Sequence, residues 1–238
     1  MRTLIALLVF IGVATGAAVV YSGTTRTYVL NKFIAHRSKV AKGQQQWHDY
    51  EAEYDYQWGG GPKPPVKYYP PAKKMYSLQW NASLATAAVN RLNTLSGSQM
   101  TGTVPSSVGE ITHGVLYGIA PNTMTAQAMF DAAWSSSWGN YLNSFGLPSM
   151  AYQPNSGNNY YNFNYQIISG QTTQIGCAYI NMTNNQYATV CHMYPRALGA
   201  GVSVYLAGTT FATACTQCPN ATAPCNSVNK LCVIKASG

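Results

Sequence analysis

Glu110 and His113, in the stretch "VGEITHG", are the residues whose types and spacing come nearest to chemistry. Glu-x-x-His is the spacing that di-iron helical bundles use, and such a site also needs carboxylates from other helices. After Asp55 the only other acid is Asp131, so those carboxylates are missing. His113, Asp131 and one of many serines would supply the types of a Ser-His-Asp triad. However, no Gly-x-Ser-x-Gly elbow is present to present a nucleophile. His36 and His48 show no ligand spacing, and His192, beside Cys191, reads as a surface residue of a strand. No catalytic residue, metal site or cofactor is therefore expected. A lone carboxylate such as Glu110 more often accepts backbone N–H groups at a loop or helix start.

The cysteines define the compartment. All six lie between Cys177 and Cys232, an even number that suits disulfides in an oxidising environment. The N-terminus agrees: Arg2, a long apolar run and small residues at Ala14, Gly16, Ala17 and Ala18 read as a signal peptide over 1–18. The expected product is secreted and extracellular, with no stable membrane insertion after cleavage. Three sequons, at Asn81, Asn181 and Asn220, are candidate glycosylation sites. The net charge of +8 reflects scarce acids more than abundant bases, and no basic block exceeds Lys73-Lys74. Phosphate binding needs a cluster of cations, so nucleic acid is not an expected partner.

The periodicity of the chain switches once. Tyr28 to Lys42 has apolar residues at helical steps, as do residues 84–95, with Asn81 or Ser83 as N-cap, and 125–141. Between the first two helices, residues 44–71 carry four of the six acids, several aromatics, a glycine triplet and a proline cluster. This composition predicts a surface loop insertion. From residue 161 the period becomes two. "YNFNYQI", "IGCAYINM", "YATVCHMY" and "GVSVYLAG" all read as strands. Cys177 and Cys191 are symmetric about the turn "TNNQ", so they should face each other across a hairpin and bond. The last four, Cys215, Cys218, Cys225 and Cys232, are expected to form two disulfides, with three pairings open. Helices followed by an antiparallel sheet make an α+β chain.

"FIAHRSKVAKGQ", "PPAKKMYSLQWNASLATAA", "TTQIGCAY" with "ATVCHMYP", and the cysteine-rich end occur in an order that resembles the CAP superfamily (SCP/TAPS domains). Within it, the resemblance is greatest to nematode venom-allergen-like and activation-associated secreted proteins. It implies an α-β-α sandwich with a central antiparallel sheet over 28–208 and a disulfide-rich, hinge-like extension over 209–238. Many members hold two His and two Glu in a cleft that can bind zinc. Carried over one position at a time, the first His falls on Phe33, the first Glu on Glu110, the second Glu on Ser137 and the second His on Phe163. Phenylalanine has no lone pair, so the tetrad is degenerate and cannot assemble the four N, S or O ligands that zinc takes.

These observations point to a non-catalytic extracellular binding or immunomodulatory module. Its partner would be an unidentified extracellular protein or glycan, contacted through the aromatic insertion between Trp47 and Tyr69. The alternative that the resemblance allows is a lipid or sterol carrier.

Overall fold

A computed structural model describes residues 16–47, 50–96, 99–114, 124–139, 151, 159–182, 186–197, 199 and 201–235. Its centre is a hairpin of β9 (Gln174–Asn181) and β10 (Tyr187–Tyr194), with Cys177 opposite Cys191. The symmetry of the two cysteines predicts this register, and their sulfurs are bonded. β8 (Gly109–Gly114) extends the sheet antiparallel to β10. The outer edge of β9 is shared by β1 (Val19–Val20), antiparallel, and β5 (Gln79–Trp80), parallel.

Alternation along the strands sorts side chains onto two faces. Ala178, Ile180, Ala188 and Val190 meet Ala88 and Leu92 of α3 (Ala82–Leu92). Gly176 lets this helix approach closely, because a Cβ there would collide with the Ala85 amide. Asn81 caps α3, its Oδ1 accepting from the amides of Ser83 and Leu84 at 2.8 and 3.0 Å. The opposite face holds the larger core, where Ile111, Ile175, Cys177, Cys191 and Met193 join the helical layer. That layer comprises α1 (Gly23–Ala41), α4 (Ala126–Ala133) continuing into a π-helical turn (Trp134–Trp138), and α5 (Asn159–Ile168). The architecture is thus helix, sheet, helix, as the resemblance implied.

One expected strand is a helix. The alternation in "YNFNYQI" assumes that Asn164 and Gln166 face water, yet both are buried. Gln166 Oε1 accepts from the Ala197 amide at 2.7 Å, and its Nε2 donates to Thr172 Oγ1 at 3.1 Å. With polar residues inside, the period of two carries no information about the backbone, and the segment forms α5. "GVSVYLAG" is mostly irregular and contributes only β11 (Leu206–Ala207), paired with β4 (Ala72–Lys74).

The insertion over 44–71 is more than a loop. β2 (Gln46–Trp47) pairs with β3 (Lys67–Tyr68) at its base, and α2 (Tyr50–Trp58) lies between. The cysteine-rich end is stapled by Cys215–Cys225 and Cys218–Cys232. Its backbone runs against residues 72–77 through Cys215 N to Ala72 O and Cys232 N to Met75 O.

Arg37, in "HRS", ties the layers together. Fully buried, it donates to the carbonyls of Ile167 (2.6 Å), Tyr76 (2.7 Å) and Thr172 (3.1 Å). Burial lowers its pKa to about 9, which leaves the guanidinium charged at neutral pH.

Candidate functional site

β8 presents a polar cluster on each of its faces. Glu110 pairs in register with His192 of β10, so both side chains lie on the α3 face. Arg91, in the last turn of α3, reaches Glu110 through two contacts, Nε to Oε2 at 2.9 Å and Nη2 to Oε1 at 3.3 Å. His192 Nε2 lies 3.0 Å from the same Oε2. Burial alone would raise the Glu110 pKa. The hydrogen bonds from His192 and Arg91, together with their charge, outweigh it and hold the carboxylate below its ordinary value.

Arg91 Nη1 also donates to the carbonyls of Thr101 and Gly102, at 2.7 and 3.0 Å. It thereby fastens the short ladder of β6 (Leu95–Ser96) and β7 (Gln99–Met100) to the sheet. The expected role of Glu110, accepting backbone amides in a loop, is replaced by an ion pair on a strand. His192, expected at the surface, is 3% exposed. Register explains both outcomes: β10 pairs on both sides, so the side chain opposite Glu110 is enclosed between a strand and a helix.

His113 projects from β8 to the other face. Its Nδ1 lies 3.0 Å from Ser137 Oγ and its Nε2 3.2 Å from Tyr187 OH. Ser137 Oγ donates to the Ala133 carbonyl at 3.1 Å, which orients His113 as donor through Nδ1 and acceptor through Nε2. A nucleophilic serine needs the reverse, with its own proton directed to the imidazole. Asp131, the remaining member of a hypothetical triad, instead accepts from Tyr28 OH at 2.6 Å. Burial lowers the His113 pKa, favouring the neutral ring that this chain of bonds requires. The sequence paired His113 with Glu110 by spacing. On a strand, residues three apart point to opposite faces.

The four positions carried over from the resemblance do not converge. Phe33 is fully buried, with its ring 5.1 Å from Trp134, 5.9 Å from Phe130 and 6.2 Å from Trp138. Phe163 packs at the edge of the same core, and Ser137 lies in the helical layer beside it. Glu110 is across the sheet from all three, with both oxygens engaged. Two phenyl rings, a serine and one imidazole are not a donor set for zinc. Among the described residues no three His, Cys, Asp or Glu side chains are grouped to hold a metal.

The candidate glycosylation sites differ in setting. Asn220 is exposed in a turn of the cysteine-rich end. Asn81 caps α3 and donates through Nδ2 to Gln174 Oε1 at 2.7 Å. The Asn181 side-chain oxygen is buried at the end of β9. The insertion is the most exposed aromatic surface described. Tyr54 is 66%, Tyr56 46% and Trp58 77% exposed, all on α2.

The sequence matches the profile of the cysteine-rich secretory protein family, CAP, over residues 30–193. No curated protein matches it. Among solved structures, it is similar to NaASP2, crystallised with Zn2+, with a TM-score of 0.67, 20% identity, and coverage of 89% of this chain and 96% of that one. BmVAL-1 gives a TM-score of 0.64 at 18% identity, with 90% and 96% covered. At these identities the likeness concerns the fold.

Proposed function

Since the chain belongs to the cysteine-rich secretory protein family, CAP, we propose that it is a secreted, non-catalytic binding module that contacts its partner through the insertion at 44–71. A helix bearing Tyr54, Tyr56 and Trp58 toward solvent carries this reading. Large aromatic side chains supply binding energy at interfaces, and a protein has little reason to expose three on one short helix otherwise.

Three further observations support it. Of the carried-over cleft positions only Glu110 keeps its metal-donor side chain, and it is engaged by Arg91 and His192; Ser137 and His113 are hydrogen-bonded in the wrong sense for a nucleophile. Paired cysteines and the apolar N-terminal run suit export through a signal peptide. No helix among the described residues is long and apolar enough to cross a membrane. The partner would be an extracellular protein or glycan, and modulation of a host response is the role that fits such a secreted module. Carriage of a lipid or sterol gains no support from the helical layer, where Phe33 fills the space between Phe130, Trp134 and Trp138.

The test is binding of the fluorescently labelled secreted protein to animal cell surfaces and extracellular-matrix preparations. Deleting 44–62, and separately the double substitution Y54A/W58A, should abolish binding while circular dichroism stays unchanged. Undiminished binding by the double variant overturns the reading.

A further inference from the structure

The insertion forms a partly open cavity of about 290 Å3 between β2, α2 and the segment 63–66. Its apolar lining comes from the rings of Trp47 and Tyr56, with Pro64, Pro65 and Val66. Polar side chains share the lining. Gln57 brings a donor and an acceptor and Lys63 a donor, beside Glu53 and Gln46, whose Nε2 also donates to Tyr68 OH at 3.0 Å.

From this lining we propose that the cavity is a binding site for a neutral sugar ring. The proposal rests on the insertion being the contact surface and names what it would recognise. A pyranose has a flat C–H face that lies against an aromatic ring. Its rim of hydroxyls both donates and accepts, which matches a lining that mixes aromatic rings with amides and a carboxylate.

Other ligand classes fit the same surface less well. A quaternary ammonium would meet like charge, from Lys63 in the lining and from Lys67, whose Nζ sits 4.8 Å from the centroid of the Trp47 ring. A polyanion would meet Glu53 in the lining, with Asp55 on the same helix. An acyl chain or sterol needs a longer apolar enclosure, whereas this one is small and edged with charge. A proline-rich peptide would compete with Pro64 and Pro65, which already form one wall beside the aromatic rings.

The experiment uses the secreted protein with glucose, galactose, mannose, N-acetylglucosamine and lactose as probes. It is read by saturation-transfer NMR and by tryptophan fluorescence. Ring-proton saturation is expected for at least one sugar. Tyr56→Ala should weaken its binding about tenfold or more, equivalent to about 1.4 kcal/mol. Trp58→Ala should leave binding of the free sugars unchanged, because Trp58 does not line the cavity and would meet the partner's surface outside it. No saturation with any sugar, or a Tyr56→Ala variant that binds like the wild type, overturns the assignment. If the 44–62 deletion abolishes cell-surface binding and no sugar binds, the sugar assignment falls and the contact-surface reading stands. If cell-surface binding survives Y54A/W58A, the contact-surface reading falls.

Discussion

Arg91 and Glu110 form a two-point ion pair across the boundary between α3 and the sheet, with both side chains about one-sixth exposed. The geometry is the planar fork that distinguishes Arg from Lys. The same guanidinium holds the carbonyls of Thr101 and Gly102, so one residue joins helix, strand and the β6–β7 ladder.

Glu110→Gln should therefore destabilise the fold by about 1–3 kcal/mol, because it leaves Arg91 partly buried without its counter-charge. The effect has a defined pH window. The folded pKa lies below the ordinary carboxylate value of 4.5, so the stabilisation is complete above that value. It is lost as pH falls through the folded value. Urea unfolding from pH 7 downward should show wild type and Glu110→Gln converging as pH falls below 4.5. A constant gap at all pH values would show that the pair's charge contributes nothing.

A second, separate acid-sensitive element is His36. Its ring meets Trp134 edge-on at 5.4 Å, and its Nε2 has no hydrogen-bond partner among the described residues. Burial first, then Lys39 and Arg37, lower its pKa to about 4. For a base with a depressed folded pKa, the unfolded chain takes up the proton first. Stability is then complete above about 6.5 and declines as pH falls toward 4. NMR titration of the His36 ring protons should give a midpoint near 4, and His36→Phe should flatten stability between pH 6.5 and 4. A midpoint near 6.5 refutes this.

Arg37 is fully buried and bonds three carbonyls from separate segments. Arg37→Met should lower stability by about 3–5 kcal/mol, since the carbonyls of Tyr76, Ile167 and Thr172 would lose their donors inside the protein. Arg37→Lys should restore little, because a compact ammonium cannot reproduce the planar spread of the guanidinium. Urea midpoints of the two variants check both statements.

How legible all this was depends on where polar atoms go. The β9–β10 hairpin was readable because the cysteine spacing fixes register without reference to burial. α3 was readable because Asn81 and an apolar stripe follow ordinary helix rules. α5 was not, since Asn164 and Gln166 are inside, where the partners of Gln166, Thr172 and Ala197, come from later sequence. The partners of Glu110 were hidden for a related reason. His192 could be found only by pairing β10 with β8, and Arg91 carries no signal other than its place in the last turn of α3. The His113–Ser137 contact joins residues that no motif links.

Asn81 offers a test that separates a cap from a glycan acceptor. Asn81→Ala should cost about 1 kcal/mol through loss of the cap, whereas Ser83→Ala, which destroys the same sequon, should cost much less. Peptide mapping of protein secreted from eukaryotic cells should find a glycan on Asn220, the exposed acceptor. An unmodified Asn220 with a fully modified Asn81 would contradict these assignments.

Reduction should proceed from the C-terminal end inward. Cys225 is exposed, whereas Cys177 and Cys191 are fully buried in the sheet core. A thiolate must reach the sulfur it attacks, so Cys215–Cys225 should open first and Cys177–Cys191 only when the sheet opens. Because the cysteine-rich end has little core of its own, opening its two disulfides should release it while helical circular dichroism persists. The hairpin disulfide closes a loop of 14 residues, and its loss should cost about 3 kcal/mol. Timed alkylation followed by mass spectrometry orders the events. Simultaneous labelling of all six cysteines would show that the C-terminal extension and the sandwich unfold as one unit.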